Sequence, residues 1–261
     1  MAEHDNTFEA VAPTYDAIRP AYPEAVFDTI ESYLSSVARH PHVLEVGVGT
    51  GQATVQMAAR EWRVFGVEPG AQLAATARSR LAAHDLVTVA TATFEAIDVA
   101  DASFDLVASA TAWHWVDPKV GYAKAHRVLE PDGAIALWWN AHVPDTTDPR
   151  WEPVRTAYER AAPELARLAR LTPDRPDYDP AGELHDCGRF EAVEQHIFSF
   201  SLAYSAREFL DLISTYASHR HLDPPRRQRL VAELTDVIDG ELGGTVVKPY
   251  EAQLVLARPI R

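Results

Sequence analysis

Over the first 140 residues, short apolar runs alternate with longer stretches rich in helix formers. The runs are Val43–Val46, Val64–Val67, Val87–Ala90, Phe104–Ala108 and Ala134–Trp139, each nearly continuous in apolar character. Continuity rather than strict alternation is the mark of strands covered on both faces. Between them, Gln52–Arg60, Ala71–Ala83 and Pro118–Leu129 have helical composition. Pro131-Asp132-Gly133 reads as a turn just before the fifth run. Strands and helices alternating at this spacing predict an α/β fold, a doubly wound and mostly parallel sheet with right-handed crossovers.

Beyond Asn140 the rhythm changes. Residues 141–150 and 172–180 are polar, proline-bearing breaks, and between them Trp151, Val154, Tyr158, Ala161, Leu165 and Leu168 mark one helix face. Ala192–Phe200 reads as a strand. Ser205 and Glu208 have capping-box spacing ahead of an apolar face of Phe209, Leu212, Ile213 and Tyr216. A further helix is predicted near Pro225–Gly240, ended by Gly243-Gly244, and Ala252–Ala257 is a last strand. The expectation is one domain over 1–261. Its parts are an N-terminal lid (1–25), a core (26–140), helical caps (141–181 and 204–245) and remaining strands of the sheet (182–203 and 246–261).

Composition narrows the partners. Acids outnumber bases 38 to 24 for a formal net charge of −14, which disfavours a nucleic-acid substrate gripped through its phosphates. The basic cluster Arg226-Arg227-Gln228-Arg229 reads as a solvated helix start. No apolar run reaches the roughly 18 residues of a membrane span, and the polar N-terminus does not resemble a secretory signal. With one cysteine, Cys187, no internal disulfide can form, and a cytoplasmic, reducing setting is expected. His219-Arg220-His221 has no acid or third ligand at metal-binding spacing, so no metal is expected.

The densest chemical signal is Val43-Leu44-Glu45-Val46-Gly47-Val48-Gly49-Thr50-Gly51-Gln52, a strand running through a glycine turn into a helix. In an open parallel sheet that crevice binds ligands. A dinucleotide fingerprint would need glycine where Gln52 stands. Glu45 lies two residues before the first glycine; it suits an ammonium better than a pyrophosphate. Glu68, at the end of the second run, can accept hydrogen bonds from both hydroxyls of a ribose. The pair points to a nucleoside with a cationic amino-acid tail.

These residues resemble the class I S-adenosylmethionine-dependent methyltransferases, in particular the small-molecule branch that includes trans-aconitate methyltransferase. Supporting blocks are Glu45-x-Gly47-x-Gly49-x-Gly51, Gly66-Val67-Glu68-Pro69, Thr93-Phe94-Glu95, Phe104-Asp105-Leu106-Val107 and Arg127-Val128-Leu129-x-Pro131-x-Gly133. The resemblance implies a Rossmann-like seven-stranded sheet, its last strand antiparallel and inserted beside Ala192–Phe200. It implies S-adenosylmethionine as cofactor, S-adenosylhomocysteine as product, and methyl transfer to a small molecule. Glu45, Gly47, Gly49 and Gly51 would cradle the methionine portion, Glu68 the ribose, and Thr93 and Phe94 the adenine edge, one by side chain and one by backbone N–H. Ala110 would lie near the sulfonium. From Tyr15-Asp16-x-x-Arg19-Pro20-x-Tyr22-Pro23, Arg19 would pair with the cofactor carboxylate, while Tyr15 and Tyr22 would wall the sulfonium region. Trp113 and Trp115 would wall the acceptor. His114 between them is a candidate general base, or a structural histidine bonded to backbone. Two rivals stay open, a nicotinamide-dependent oxidoreductase and a non-catalytic S-adenosylmethionine-binding module.

Overall fold

The computed structural model describes residues 20–34, 40–142, 149–168 and 179–261. Its elements, in chain order, begin with α1 (Glu24–Leu34), β1 (His42–Val46), α2 (Gln52–Ala59), β2 (Arg63–Val67), α3 (Ala71–Arg80), β3 (Val87–Ala90) and β4 (Phe104–Ala110). A short 3-10 turn at Trp113–Trp115 leads to α4 (Pro118–Val128) and β5 (Leu129–His142). There follow α5 (Glu152–Ala161), α6 (Pro163–Leu168), α7 (Pro180–Asp186), β6 (Phe190–Ser205), α8 (Ala206–Ser214), α9 (Ala217–Arg220), α10 (Pro224–Asp236) and β7 (Thr245–Pro259).

The seven strands are ordered β3-β2-β1-β4-β5-β7-β6. The pairs β2–β3, β1–β2, β1–β4 and β4–β5 are parallel. Chain order reverses between β1 and β4, and such a switch point opens a crevice at the carboxyl ends of the strands. The last strand inserts between β5 and β6 as expected. It runs antiparallel to β6: Ile260 N–H, just past the end of β7, donates to the carbonyl of Arg189, just before β6.

Two compact units divide the chain. One comprises Ala21–Asn140, Asp177–Phe198 and Ala252–Arg261. Its core is apolar side chains from the strands, with Leu44, Val107, Ile135 and Leu137 at most 1% exposed. Helix α1, which the strand rhythm did not predict, seats Val26, Phe27, Ile30 and Leu34 fully in that unit. The spacing i, i+1, i+4, i+8 keeps all four on one face. The other unit draws on Ala141–Pro176 and Ser199–Glu251 and has its own core, including Val154, Tyr158, Phe209, Leu212, Leu234 and Tyr250.

The predicted turn at Pro131-Asp132-Gly133 is absorbed into β5. Phe104 pairs with Leu129 but Leu106 pairs with Ala134, so extra residues bulge out between two in-register segments. The long helical face from Trp151 to Leu168 is two helices, α5 and α6. Pro163 forces the break, because Ala162 before it leaves the helical region at φ −152°, ψ 69°. The Ser205–Glu208 capping box is formed, with Glu208 N–H donating to Ser205 Oγ at 3.3 Å and Ser205 N–H to Glu208 Oε2 at 2.8 Å. Among the described residues no helix is long and apolar enough to cross a membrane.

Candidate functional site

The site assembles where β1 and β2 end. Glu45, on β1, is fully buried. Thr54 of α2 donates to its Oε2 at 2.7 Å, while its Oε1 has no hydrogen-bond partner. Burial pushes the Glu45 carboxyl up to about 8; the Thr54 bond opposes this and the charge of Glu68 adds to it. An unpaired buried polar atom is costly, and it is the feature a cationic ligand would relieve.

Gly47, Gly49 and Gly51 have φ of +76°, +59° and +88°, a region that side chains disfavour. A Cβ on Gly47 would stand 2.2 Å from the Ala112 Cβ, so the segment after β4 closes directly over the turn. A Cβ on Gly49 would meet nothing within 4 Å: its glycine requirement is conformational, and the space before it is open. Gly51 N-caps α2, starting a helix whose backbone N–H groups point toward the crevice.

Glu68 follows β2 and is 6% exposed. Its Oε2 accepts from Gly49 N–H at 2.9 Å and its Oε1 from Gly70 N–H at 2.8 Å, so one carboxylate ties the β1 turn to the β2 turn. Ala92 N–H donates to the Glu68 carbonyl at 3.1 Å, which sets the turn after β3 alongside. Thr93 is exposed and its Oγ1 accepts from Ala96 N–H at 3.3 Å, whereas the Phe94 ring is 2% exposed in the core.

Past β4 the predicted residues divide. Ala110 lies at the end of β4 opposite Trp138. Tyr22 is half-buried, with its OH 2.9 Å from Thr111 Oγ1 and its ring edge-on to Trp138 at 5.9 Å. Trp113 does not present its face as an acceptor wall: it is 3% exposed, packed between Phe94 at 5.6 Å and Tyr122 at 5.3 Å. Trp115 is 61% exposed, and half-buried His114 lies against it with ring centroids 5.1 Å apart. Tyr15 and Arg19 lie outside the described residues. The structure thus brings Glu45, the three glycines, Glu68, Thr93, Phe94, Ala110 and Tyr22 to the carboxyl ends of β1 to β4.

Three residues show features that the sequence does not signal. Thr54, nine positions after Glu45, sits on the buried face of α2 between Ala53 and Met57, where a hydroxyl needs a partner. Thr111 holds φ +58°, unusual for a β-branched residue and typical of functional turns. Trp138 is 1% exposed with its indole N–H unpartnered; nothing in its sequence context signals this.

Known proteins resemble this chain in sequence and in fold. Residues 44–137 match the family profile described as a methyltransferase domain. Over 134 residues the chain is 36% identical to an uncharacterised methyltransferase of Mycobacterium tuberculosis, an alignment spanning 51% of this chain and 52% of that protein. The chain thus spans about half the length of the first curated relatives it matches. A structure from Anaeromyxobacter dehalogenans, assigned as a type II methyltransferase, superposes with a TM-score of 0.69 at 24% identity, covering 92% of this chain and 97% of that one. Phosphoethanolamine N-methyltransferase 2 of Haemonchus contortus, solved in complex with S-adenosyl-L-methionine, gives a TM-score of 0.57 at 15% identity, covering 98% and 59%. At such identities the structural likeness concerns the fold.

Proposed function

We propose that this chain is a class I S-adenosylmethionine-dependent methyltransferase that transfers a methyl group to a small-molecule acceptor through an oxygen, nitrogen or carbon atom, a hydroxyl- or carboxylate-bearing metabolite being one such acceptor. The observation that carries the proposal is the buried Glu45 carboxyl with one oxygen unpartnered. It sits beneath a glycine turn that Glu68 braces at 2.9 Å. A carboxylate held there out of water suits an ammonium, and Glu68 suits two ribose hydroxyls. No phosphate is asked for: a phosphate beside Glu45 would oppose ionisation of its carboxyl, whereas an ammonium favours it.

When bound, S-adenosylmethionine supplies a methyl group on a cationic sulfonium, which an in-line nucleophile displaces. Glu45 gives up its proton on pairing with the ammonium, and Thr54 holds the resulting carboxylate in place. The backbone of Gly47 and Gly49 lies against the amino-acid tail. Glu68 fixes the ribose, and the turn at Thr93 and Phe94 meets the base. The contribution of these residues is chiefly orientation, which can supply several kcal/mol of the barrier reduction. Tyr22, Thr111 and Ala110 border the reacting side, and the Tyr22–Thr111 hydroxyl pair is suited to orient an acceptor oxygen. His114 is the candidate to take up the acceptor's proton. Arg19 and Tyr15 are assigned to the cofactor carboxylate and sulfonium, Trp115 to the acceptor.

Titration calorimetry with S-adenosylhomocysteine tests the proposal, with NADH as control and Glu68→Ala as the site variant. Micromolar binding of the homocysteine product, weakened in the variant, is the expected result. A response to NADH alone would overturn the reading.

A further inference from the structure

Lys124 is a lysine the functional reading does not use. It lies on α4, 8% exposed, and burial pulls its ammonium below the usual lysine range, with the Arg127 charge adding to this against Glu95 and Asp98. Its Nζ donates to the Glu95 carbonyl at 3.1 Å and to the Ile97 carbonyl. It also stands 5.3 Å from the centroid of the Phe94 ring. Glu95 is fixed a second time, since Asp117 N–H, at the start of α4, donates to its Oε1 at 3.1 Å. A methionine would fill the same volume without the cost of desolvating a charge. What the ammonium adds is a fixed shape for the turn from Thr93 to Ile97.

That shape matters because of where the turn lies. Strand order β3-β2-β1 sets the three loops side by side. A ligand with its tail at Glu45 on β1 and its ribose at Glu68 after β2 therefore carries its base toward the turn after β3. The Thr93 carbonyl accepts from Ala96 N–H at 3.2 Å. In a planar trans peptide the Phe94 N–H points the opposite way, out of the turn.

We propose that Lys124 is a positioning residue for base recognition: its ammonium sets the Thr93–Ile97 turn so that Phe94 N–H meets an acceptor nitrogen on the purine edge, selecting adenine over hypoxanthine. The proposal rests on the reading of Glu45 and Glu68 as the tail and ribose acids. Hypoxanthine discriminates because its N1 carries a proton where adenine N1 offers a lone pair. Lys124 itself touches neither base nor reacting atoms.

The test compares calorimetric affinities of the full chain for S-adenosylhomocysteine and S-inosylhomocysteine. The wild type is expected to prefer the adenosyl ligand by about tenfold or more, since a site built for a hydrogen bond rejects a ligand that cannot make it. In Lys124→Met that ratio should fall to about threefold or less, while Lys124→Arg, which keeps two donors, retains most of it. Glu45→Gln should weaken both ligands alike and leave the ratio intact, a pattern that general loosening at the base end would not give. If Lys124→Met does not fold, Lys124→Gln takes its place with the same expected collapse. An unchanged ratio in the Lys124 variant overturns the proposal. So does a wild type that binds both ligands equally, although the methyltransferase reading then survives. A wild type that binds neither overturns both.

Discussion

Replacing Glu45 by glutamine should make the ligand-free protein more stable and the ligand-binding protein worse. The carboxyl is fully buried and its pKa is raised from 4.5 to about 8. Between those values the unfolded chain has released the proton while the folded chain still holds it. Stability therefore falls as pH rises, by about 1.4 kcal/mol per unit, and levels off above pH 8. Glutamine matches the neutral acid in shape and does not titrate. The two proteins should be close in stability near pH 4.5, and the variant should lead by about 3 kcal/mol at pH 7. For a chain of this size that is on the order of 10 °C in Tm. Binding should go the other way. An amide cannot answer an ammonium with charge, and a charged hydrogen bond is worth about 1.5–3 kcal/mol, or roughly 10- to 100-fold in affinity for S-adenosylhomocysteine. Wild-type affinity should rise with pH up to about 8, as the ionised carboxylate becomes cheaper to form, and each binding event below that pH should release a proton. Thermal melts of both proteins from pH 4.5 to 8.5, with calorimetry in two buffers of different ionisation enthalpy, would measure all of this. Parallel melting curves across that range would refute the reasoning, because a carboxyl with an ordinary pKa leaves no slope for glutamine to remove.

Glu68→Ala leaves the Gly49 and Gly70 N–H groups without their carboxylate partner; S-adenosylhomocysteine affinity should drop about 10- to 100-fold, read by calorimetry. Gly47→Ala drives a Cβ to 2.2 Å from the Ala112 Cβ at φ +76°; a loss of about 1–3 kcal/mol in denaturant unfolding is expected, together with weakened ligand binding. His219 has its pKa lowered by burial from 6.5 to about 4, and its Nε2 lies 2.9 Å from Tyr158 OH. The unfolded chain takes up that proton first, so stability should fall as pH drops from 6.5 toward 4. His219→Gln should flatten the acid limb of the Tm profile over that window.

Much of the candidate site stands out in the sequence because its residues lie close to the signals that mark them. Glu45, Gly47, Gly49 and Gly51 share one strand–turn–helix unit, and local backbone demands dictate the glycines. Glu68 stands out because it ends the next apolar run. Trp113 shows where such reading fails. Its neighbours His114 and Trp115 suggest an aromatic wall, yet a single 3-10 turn sends Trp113 inward and leaves Trp115 out. Which way each ring points is decided by Phe94 and Tyr122, which touch Trp113 from elsewhere in the chain.

The sequence by itself determined the elements that depend on neighbours in the chain: the parallel core strands, the glycine turn, the capping box at Ser205, and the acids at the strand ends. Hydrophobic period and turn chemistry act over a few residues, so they can be read without a fold. The tertiary structure alone decided what depends on distant partners. It paired Thr54 with one oxygen of Glu45 and left the other unpartnered, brought Gly49 N–H to Glu68, and set Tyr22 beside Thr111 across 89 positions of chain. It also buried Lys124 under the turn after β3. A pKa, a strained φ or an unpartnered atom is a property of the surroundings, and those surroundings exist only once the strands have come together.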